Sequence, residues 1–188
     1  QNPLLTFEKK EKCKLAKIEE KVESLIEEKI EALGYSLYDV EYVKDFIKGL
    51  PFKLTDDQIY VVKEILDDMK SNITMTRLLQ GDVGSGKTIV ALIALIANFT
   101  ASYQGAIMAP TDILARQHYD SINKFLKGYD INVSLLVSDM SSKEKKEVLE
   151  NISNGKTDIV IGTHALIQDS VKYFNLGLAI IDEQHRFG

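Results

Sequence analysis

The sequence predicts an α/β fold: a parallel sheet flanked by helices on both faces, preceded by a helical N-terminal segment. Two observations carry this. From Thr55 onward, short apolar runs alternate with amphipathic stretches, the order expected of βαβ units whose strands are buried on both sides. In addition, LLQGDVGSGKT at 78–88 joins an apolar run to a glycine-rich turn that ends in a lysine and a threonine, a strand–loop–helix arrangement suited to holding phosphate.

Taken in order, Leu15, Ile18, Val22, Leu25, Ile26, Ile30 and Leu33 recur at steps of three and four, which predicts an amphipathic helix stopped at Gly34. YSLYDVEYV follows and reads as a strand with Tyr38, Val40 and Tyr42 on one side, and Gly49 and Pro51 punctuate the chain after it. A helix is expected over 56–70, a strand over 76–80 (TRLLQ), and a helix from Lys87 to about Ser102. GAIMAP is the next strand, and Thr111 opens the helix TDILARQHYDSINKFLKGY. SLLV is a strand, SSKEKKEVLENISNG a helix capped by Ser141 or Ser142 and stopped at Gly155, DIVIGT a strand, and LGLAIIDE the last strand. The change in character near residue 48 divides the chain into a Lys/Glu-rich helical appendage (1–48) and an α/β lobe (49–188).

Composition narrows the function. Across 188 residues, 45% are apolar, enough for one core plus an appendage. No apolar run approaches the ~20 residues of a membrane span, and the N-terminus lacks the basic-then-apolar order of a signal peptide. A single cysteine, Cys13, rules out an internal disulfide framework and suits a reducing compartment. The three histidines and that cysteine form no zinc pattern, and His118 reads as a packed or exposed helix residue rather than a ligand. A net charge of −5 excludes nucleic-acid binding driven mainly by bulk charge, so any such contact must be local and backbone-driven.

The chemistry-bearing residues fall into four groups. Gly81, Asp82, Val83, Gly84, Ser85, Gly86, Lys87 and Thr88 fit G-x-x-x-x-G-K-[ST] at every fixed position. Glycines let successive amides turn toward phosphate oxygens, Lys87 reaches the β and γ phosphates, and the Thr88 hydroxyl joins a magnesium shell. AIIDEQH at 179–185 ends an apolar strand in Asp182, which suits magnesium, and Glu183, which suits activation of the attacking water. Gln58 can both donate to and accept from an adenine edge, with Phe52 available to stack on the ring. Two further strand ends, Pro110-Thr111 and Gly162-Thr163, offer turns, hydroxyls and helix N-termini that can contact DNA phosphates without net positive charge. Threonine capping of the following helix is the alternative use of the same groups.

With these residues assembled, the chain resembles the first motor lobe of superfamily 2 helicases, and more closely the RecG family of ATP-dependent DNA helicases. LPFKLTDDQ, RLLQGDVGSGKT, APTDILARQHY, DIVIGTHALIQ and LAIIDEQHRFG carry the resemblance over residues 50–188. It implies a RecA-like P-loop NTPase lobe using ATP and Mg²⁺, with Lys87 and Glu183 in catalysis, Thr88 and Asp182 at the metal, and Gln184 and His185 linking the γ-phosphate to neighbouring elements. It implies branched or double-stranded DNA as the partner, no membrane, and a cytosolic or nucleoid location in a bacterium. It also implies a fork-recognising wedge domain and a second motor lobe with arginine fingers, neither recognisable in this chain. The chain starts at Gln1 without methionine and stops at Gly188, so the expectation is an excised piece whose sheet lacks the strand that belongs between the phosphate-loop strand and the DEQH strand. KVESLIEEKIEALGYSLYDVEYVKD at 21–45 is similar to the opening of the ribosome maturation factor RimP. Two other readings stand beside the first: the motor of a transcription-repair coupling factor, and a non-catalytic nucleotide-binding or interaction module.

Overall fold

The computed structural model describes residues 38–71, 74–82 and 84–182. The expected helix over residues 15–33 lies outside them, as do Val83, Glu183, Gln184 and His185.

Helix formation follows the capping chemistry. The expected strand at 38–42 is a correction: Val40–Gly49 is a helix, α1. The Asp39 carboxylate accepts from the Glu41 and Tyr42 amides, and Val43 and Phe46 are the buried positions. That three-residue step belongs to a helix, and it outweighs the Tyr38/Val40/Tyr42 alternation, which leaves Val40 42% exposed. Helix α2, Asp56–Asp68, starts with a capping box in which Thr55 and Gln58 satisfy each other's amides. Helix α3 is Lys87–Thr100. Thr111 caps α4, Asp112–Phe125, through the Leu114 amide. A second capping box, Ser141 with Glu144, opens α5, Ser142–Ser153, and the Ser141 bonds hold the Glu144 carboxyl below its ordinary range.

Four strands form one parallel sheet in the order β2–β3–β1–β4: β1 is Gln104–Met108, β2 Val133–Leu136, β3 Ile159–Gly162 and β4 Leu176–Ile181. Residues 76–80, expected as a strand, join no ladder. Among the described residues β4 carries no strand on its other side, and the 76–80 stretch does not pair with that edge. Arg77 instead ties it to α2, binding Glu64 at 2.8 Å and Asp68 at 2.7 Å, while Leu78 stays 70% exposed.

Alternating strand residues build two cores. Ile107, Ile159, Ile161 and Leu178 pack with α1, α2, α3 and α4 on one face. Ala106, Met108, Val160 and Leu176 pack with Ile152 of α5 and Leu166 of a 3₁₀ turn, His164–Ile167, on the other. Helix α1 belongs to the first core: Val43 and Phe46 are 2% and 1% exposed, and the Phe46 ring meets Tyr129 edge-on at 5.3 Å. The change in composition at residue 48 therefore falls inside a helix that is part of the lobe.

One buried amide locks the sheet's amino-terminal edge. Gln104 Nε2 donates to the Ile152 and Thr157 carbonyls, and its Oε1 accepts from the Phe174 and Asn175 amides. Three segments distant in sequence are thereby held to the start of β1.

Phe46→Ala tests the place of α1. Removing a ring this buried should lower stability by about 3–5 kcal/mol in urea unfolding, whereas a change within about 0.5 kcal/mol would mark α1 as a peripheral attachment.

Candidate nucleotide-binding site

Parallel strands deliver their carboxyl ends to one edge. Register pairs Met108 with both Gly162 and Ile181, so Ala109, Thr163 and Asp182 stand side by side where β1, β3 and β4 end. The ladder continues one step beyond the strands: the Ala109 amide donates to the Gly162 carbonyl at 2.8 Å and the Asp182 amide to the Met108 carbonyl at 2.9 Å. Asp182 is thus fixed at that edge through its own backbone.

Helix α3 brings the glycine loop to the same edge. Its C-terminal Asn98 donates to the Tyr103 carbonyl just before β1, and Asn98 also lies against Gly177 near the start of β4. The last turn of α3 therefore sits at the amino ends of these strands. A 14-residue helix spans about 21 Å, so its first turn reaches past the opposite, carboxyl edge. Lys87 and Thr88 are half-buried in that first turn.

The loop itself is closely tied. Gly84 and Gly86 adopt φ of 84° and 80°, values that side-chain-bearing residues rarely take. Ser85 donates its amide to the Asp82 carbonyl, and the Lys87 ammonium donates to the carbonyls of Gly81 at 2.6 Å and Asp82 at 2.9 Å. Gln58 serves two purposes. Its Oε1 completes the α2 capping box at the Thr55 amide, and its Nε2 donates to the Ser85 carbonyl at 2.9 Å. A Cβ on Gly86 would collide with that same Nε2. Phe52, 45% exposed, meets Phe125 edge-on at 6.1 Å.

Among the described α-helices, α3 differs from the other four in one respect. Asp39, Thr55, Thr111 and Ser141 each cap their helices with a side chain, whereas Gly86 offers α3 none. The Ile89 amide bonds back to the Gly86 carbonyl, and the positive end of the helix dipole adjoins the glycine loop, which suits an anion.

The expected DNA-contact residues divide. Pro110 is half-buried and Thr111 exposed at the β1–α4 turn, followed by Ile113 at 71% exposure. Gly162 and Thr163 are buried. A Cβ on Gly162 would strike the Leu136 carbonyl, so its glycine is required by strand packing, and the 2%-exposed Thr163 hydroxyl has no partner among the described residues. In this arrangement a ligand at this edge meets Pro110 and Thr111 before it meets those two.

His118 is the site residue that sequence reasoning passed over. Its Nε2 lies 2.6 Å from Asp182 Oδ2. The signal was its spacing: His118 stands three residues after Ala115 and four before Ile122, both 0% exposed, and so lies on the buried stripe of α4.

A family model described as DEAD/DEAH box helicase matches residues 55–188. The chain belongs to the DEAD/DEAH box helicase family. It is similar to the ATP-dependent DNA helicase RecG of Aquifex aeolicus, 50% identical over 150 residues that cover 80% of this chain and 19% of that protein. RecG of Bacillus subtilis is 55% identical over 148 residues, 79% of this chain and 22% of that protein. The chain thus spans about a fifth of the length of the curated relatives it matches. A structure of RecG bound to a three-way DNA junction superposes with a TM-score of 0.77 at 45% identity, covering 90% of this chain and 24% of that one. A structure of S. cerevisiae Dbp5 bound to RNA and ADP BeF3, at 19% identity and a TM-score of 0.53 over 84% of this chain and 40% of that one, shares the fold. No described helix of this helicase-family chain is long and apolar enough to cross a membrane.

The two left-handed glycines of the loop can be told apart experimentally. Gly84→Ala and Gly86→Ala each force alanine into a left-handed conformation at about 1–2 kcal/mol. Only Gly86 also meets Gln58, with nothing within 4 Å of a Cβ on Gly84. Gly86→Ala should therefore be the more destabilising in urea unfolding; equal losses would show that the Gln58 tether does not hold the loop.

Proposed function

We propose that this chain is the ATP-binding motor lobe of a RecG-type DNA helicase that remodels branched DNA in bacterial recombination and repair, working in the cytosol at the nucleoid. The observation that carries the reading is the uncapped first turn of α3 behind a complete phosphate-loop sequence, directed to the sheet edge that fixes Asp182. Among the described α-helices α3 alone lacks a side-chain cap, which supports a ligand completing its hydrogen bonding. The RecG likeness in sequence and in fold supports DNA as the polymer on which the lobe works.

In this reading the loop Gly81, Asp82, Val83, Gly84, Ser85 and Gly86 holds the phosphate, and the Ser85 amide exchanges the Asp82 carbonyl for a phosphate oxygen. Lys87 exchanges its carbonyl partners for phosphate oxygens, so that its ammonium donates to a charged acceptor in place of two neutral ones. Thr88 and Asp182 hold magnesium. One hydroxyl and one carboxylate suit an ion that keeps several waters and takes its remaining ligands from phosphate. Bound there, magnesium neutralises charge that develops on the transferred phosphoryl group. Glu183 orients and deprotonates the attacking water, while Gln184 and His185 carry the γ-phosphate state to neighbouring elements. Gln58 keeps one donor hydrogen and one lone pair beyond its two bonds, enough for an adenine edge, and Phe52 offers a ring face. Pro110 and Thr111 line the DNA path, and Gly162 and Thr163 support it from beneath. A second motor lobe supplies the arginine that completes the site.

Two outcomes follow. Lys87→Ala should abolish ATP binding measured by calorimetry, and Glu183→Gln should keep binding while removing hydrolysis; loss of binding in Glu183→Gln would refute the role given to that carboxylate. The 188-residue chain alone should hydrolyse ATP about 10³- to 10⁵-fold more slowly than a complete relative, and DNA-stimulated turnover at a complete relative's rate would contradict the need for a second lobe.

A further inference from the structure

The imidazole of His118 and the carboxylate of Asp182 meet across 64 positions of sequence. Each comes from a fixed place. His118 lies on the buried stripe of α4 with its side chain 17% exposed, and Asp182 is held by its amide bond to Met108 with its side chain 30% exposed. At 2.6 Å the contact is short for a nitrogen donor. A carboxylate can only accept, which places the imidazole proton on Nε2. Nothing in the phosphate-loop chemistry requires a histidine here, and the α4 stripe would bury an aliphatic residue at lower desolvation cost.

We propose that His118 is a positioning residue for the metal site: its Nε2–H holds Oδ2 of Asp182 and thereby sets the rotation of that carboxylate toward magnesium and its waters. The inference rests on the nucleotide-site reading above. The physical need is plain. A metal bound by few protein ligands depends on each one being held. A helix supplies that restraint better than a loop, because its own hydrogen bonds fix the position of the imidazole. Helix α4 is also the element capped by Thr111 at the same edge, two turns earlier, so the carboxylate is referred to the element nearest the proposed DNA path. Outer partners of metal ligands are typically worth 10- to 100-fold in metal affinity.

The test is binding of a fluorescent, non-hydrolysable ATP analogue to the full chain, with and without Mg²⁺, and the readout is the ratio of the two affinities. His118→Ala should lower that ratio about 10- to 100-fold. His118→Gln, whose Nε2 can donate from nearly the same place, should restore it, and His118→Asn, one methylene shorter, should not. A ratio in His118→Ala equal to wild type would overturn the proposal, as would Gln and Asn behaving alike, and the Gln/Asn comparison decides the matter even where His118→Ala fails to fold. Lys87→Ala separates the two readings. If it still binds the analogue, the nucleotide site itself is wrongly assigned; if it loses the analogue while the His118 variants leave the ratio unmoved, only the positioning role fails.

Discussion

The hydrogen bond from the Asp182 amide to the Met108 carbonyl extends a parallel ladder one residue beyond its last strand, and the arrangement of the site depends on that ladder. Parallel pairing forces β1, β3 and β4 to end at one edge, because each must return through a helix or turn before running the same way again. Residues far apart in the chain, Pro110, Thr163 and Asp182, become neighbours without any direct attraction between them. Helix α3 obeys the same rule in reverse. Its C-terminal turn is anchored to the amino ends of the strands by Asn98, so its N-terminal turn has one place to go. The sheet thus sets the separation and direction of the groups, and local chemistry has only to supply their identity.

That local chemistry is concentrated in a short loop whose backbone takes conformations that glycine adopts without cost. Gly84 and Gly86 take left-handed conformations, Lys87 turns back on two carbonyls of its own loop, and Gln58 reaches over from α2 to hold Ser85. The Gln58 bond links the capping of one helix to the shape of the turn that opens another. A displacement of α2 would therefore be felt in the phosphate loop, and the Arg77 bridges to Glu64 and Asp68 tie the segment leading into that loop to the same helix. Two independent tethers from α2 bracket the loop.

Much of this was legible in the residues, and the reasons differ by element. Helices α2, α4 and α5 announce themselves through Thr55 with Gln58, Thr111, and Ser141 with Glu144, because capping is a local interaction written within a few positions. The four paired strands appear as apolar runs between them. Where reading by period failed, two patterns competed. Tyr38, Val40 and Tyr42 alternate as a strand would, yet Asp39, Val43 and Phe46 state a helix, and the burial of Phe46 decides. TRLLQ has strand composition, but a strand exists only with a neighbour, and no composition reveals whether one is there. The phosphate loop was visible as a motif. The four bonds of Gln104 and the His118–Asp182 contact were not, since they join groups separated by 48 to 71 positions and leave no local signature beyond a polar residue on a buried face.

The lobe also presents a cavity of about 490 Å³ at the opposite edge, lined by Asp39, Tyr42, Phe99, Tyr103, Asp158 and Asn175 among others. It lies at the amino ends of the strands, beside the Gln104 cluster, and its acidic side chains oppose a phosphate. In open α/β sheets ligands bind at the carboxyl edge, and the uncapped helix, the lysine and Asp182 all point there. Paramagnetic broadening of amide resonances by Mn²⁺-ATP distinguishes the two edges directly. Broadening centred on Gly86, Thr88, Ala109 and Asp182, with Gln104 and Asn175 unaffected, is the predicted result; broadening centred on Asp39, Tyr103 and Asn175, with the glycine loop unaffected, would contradict the assignment of the site.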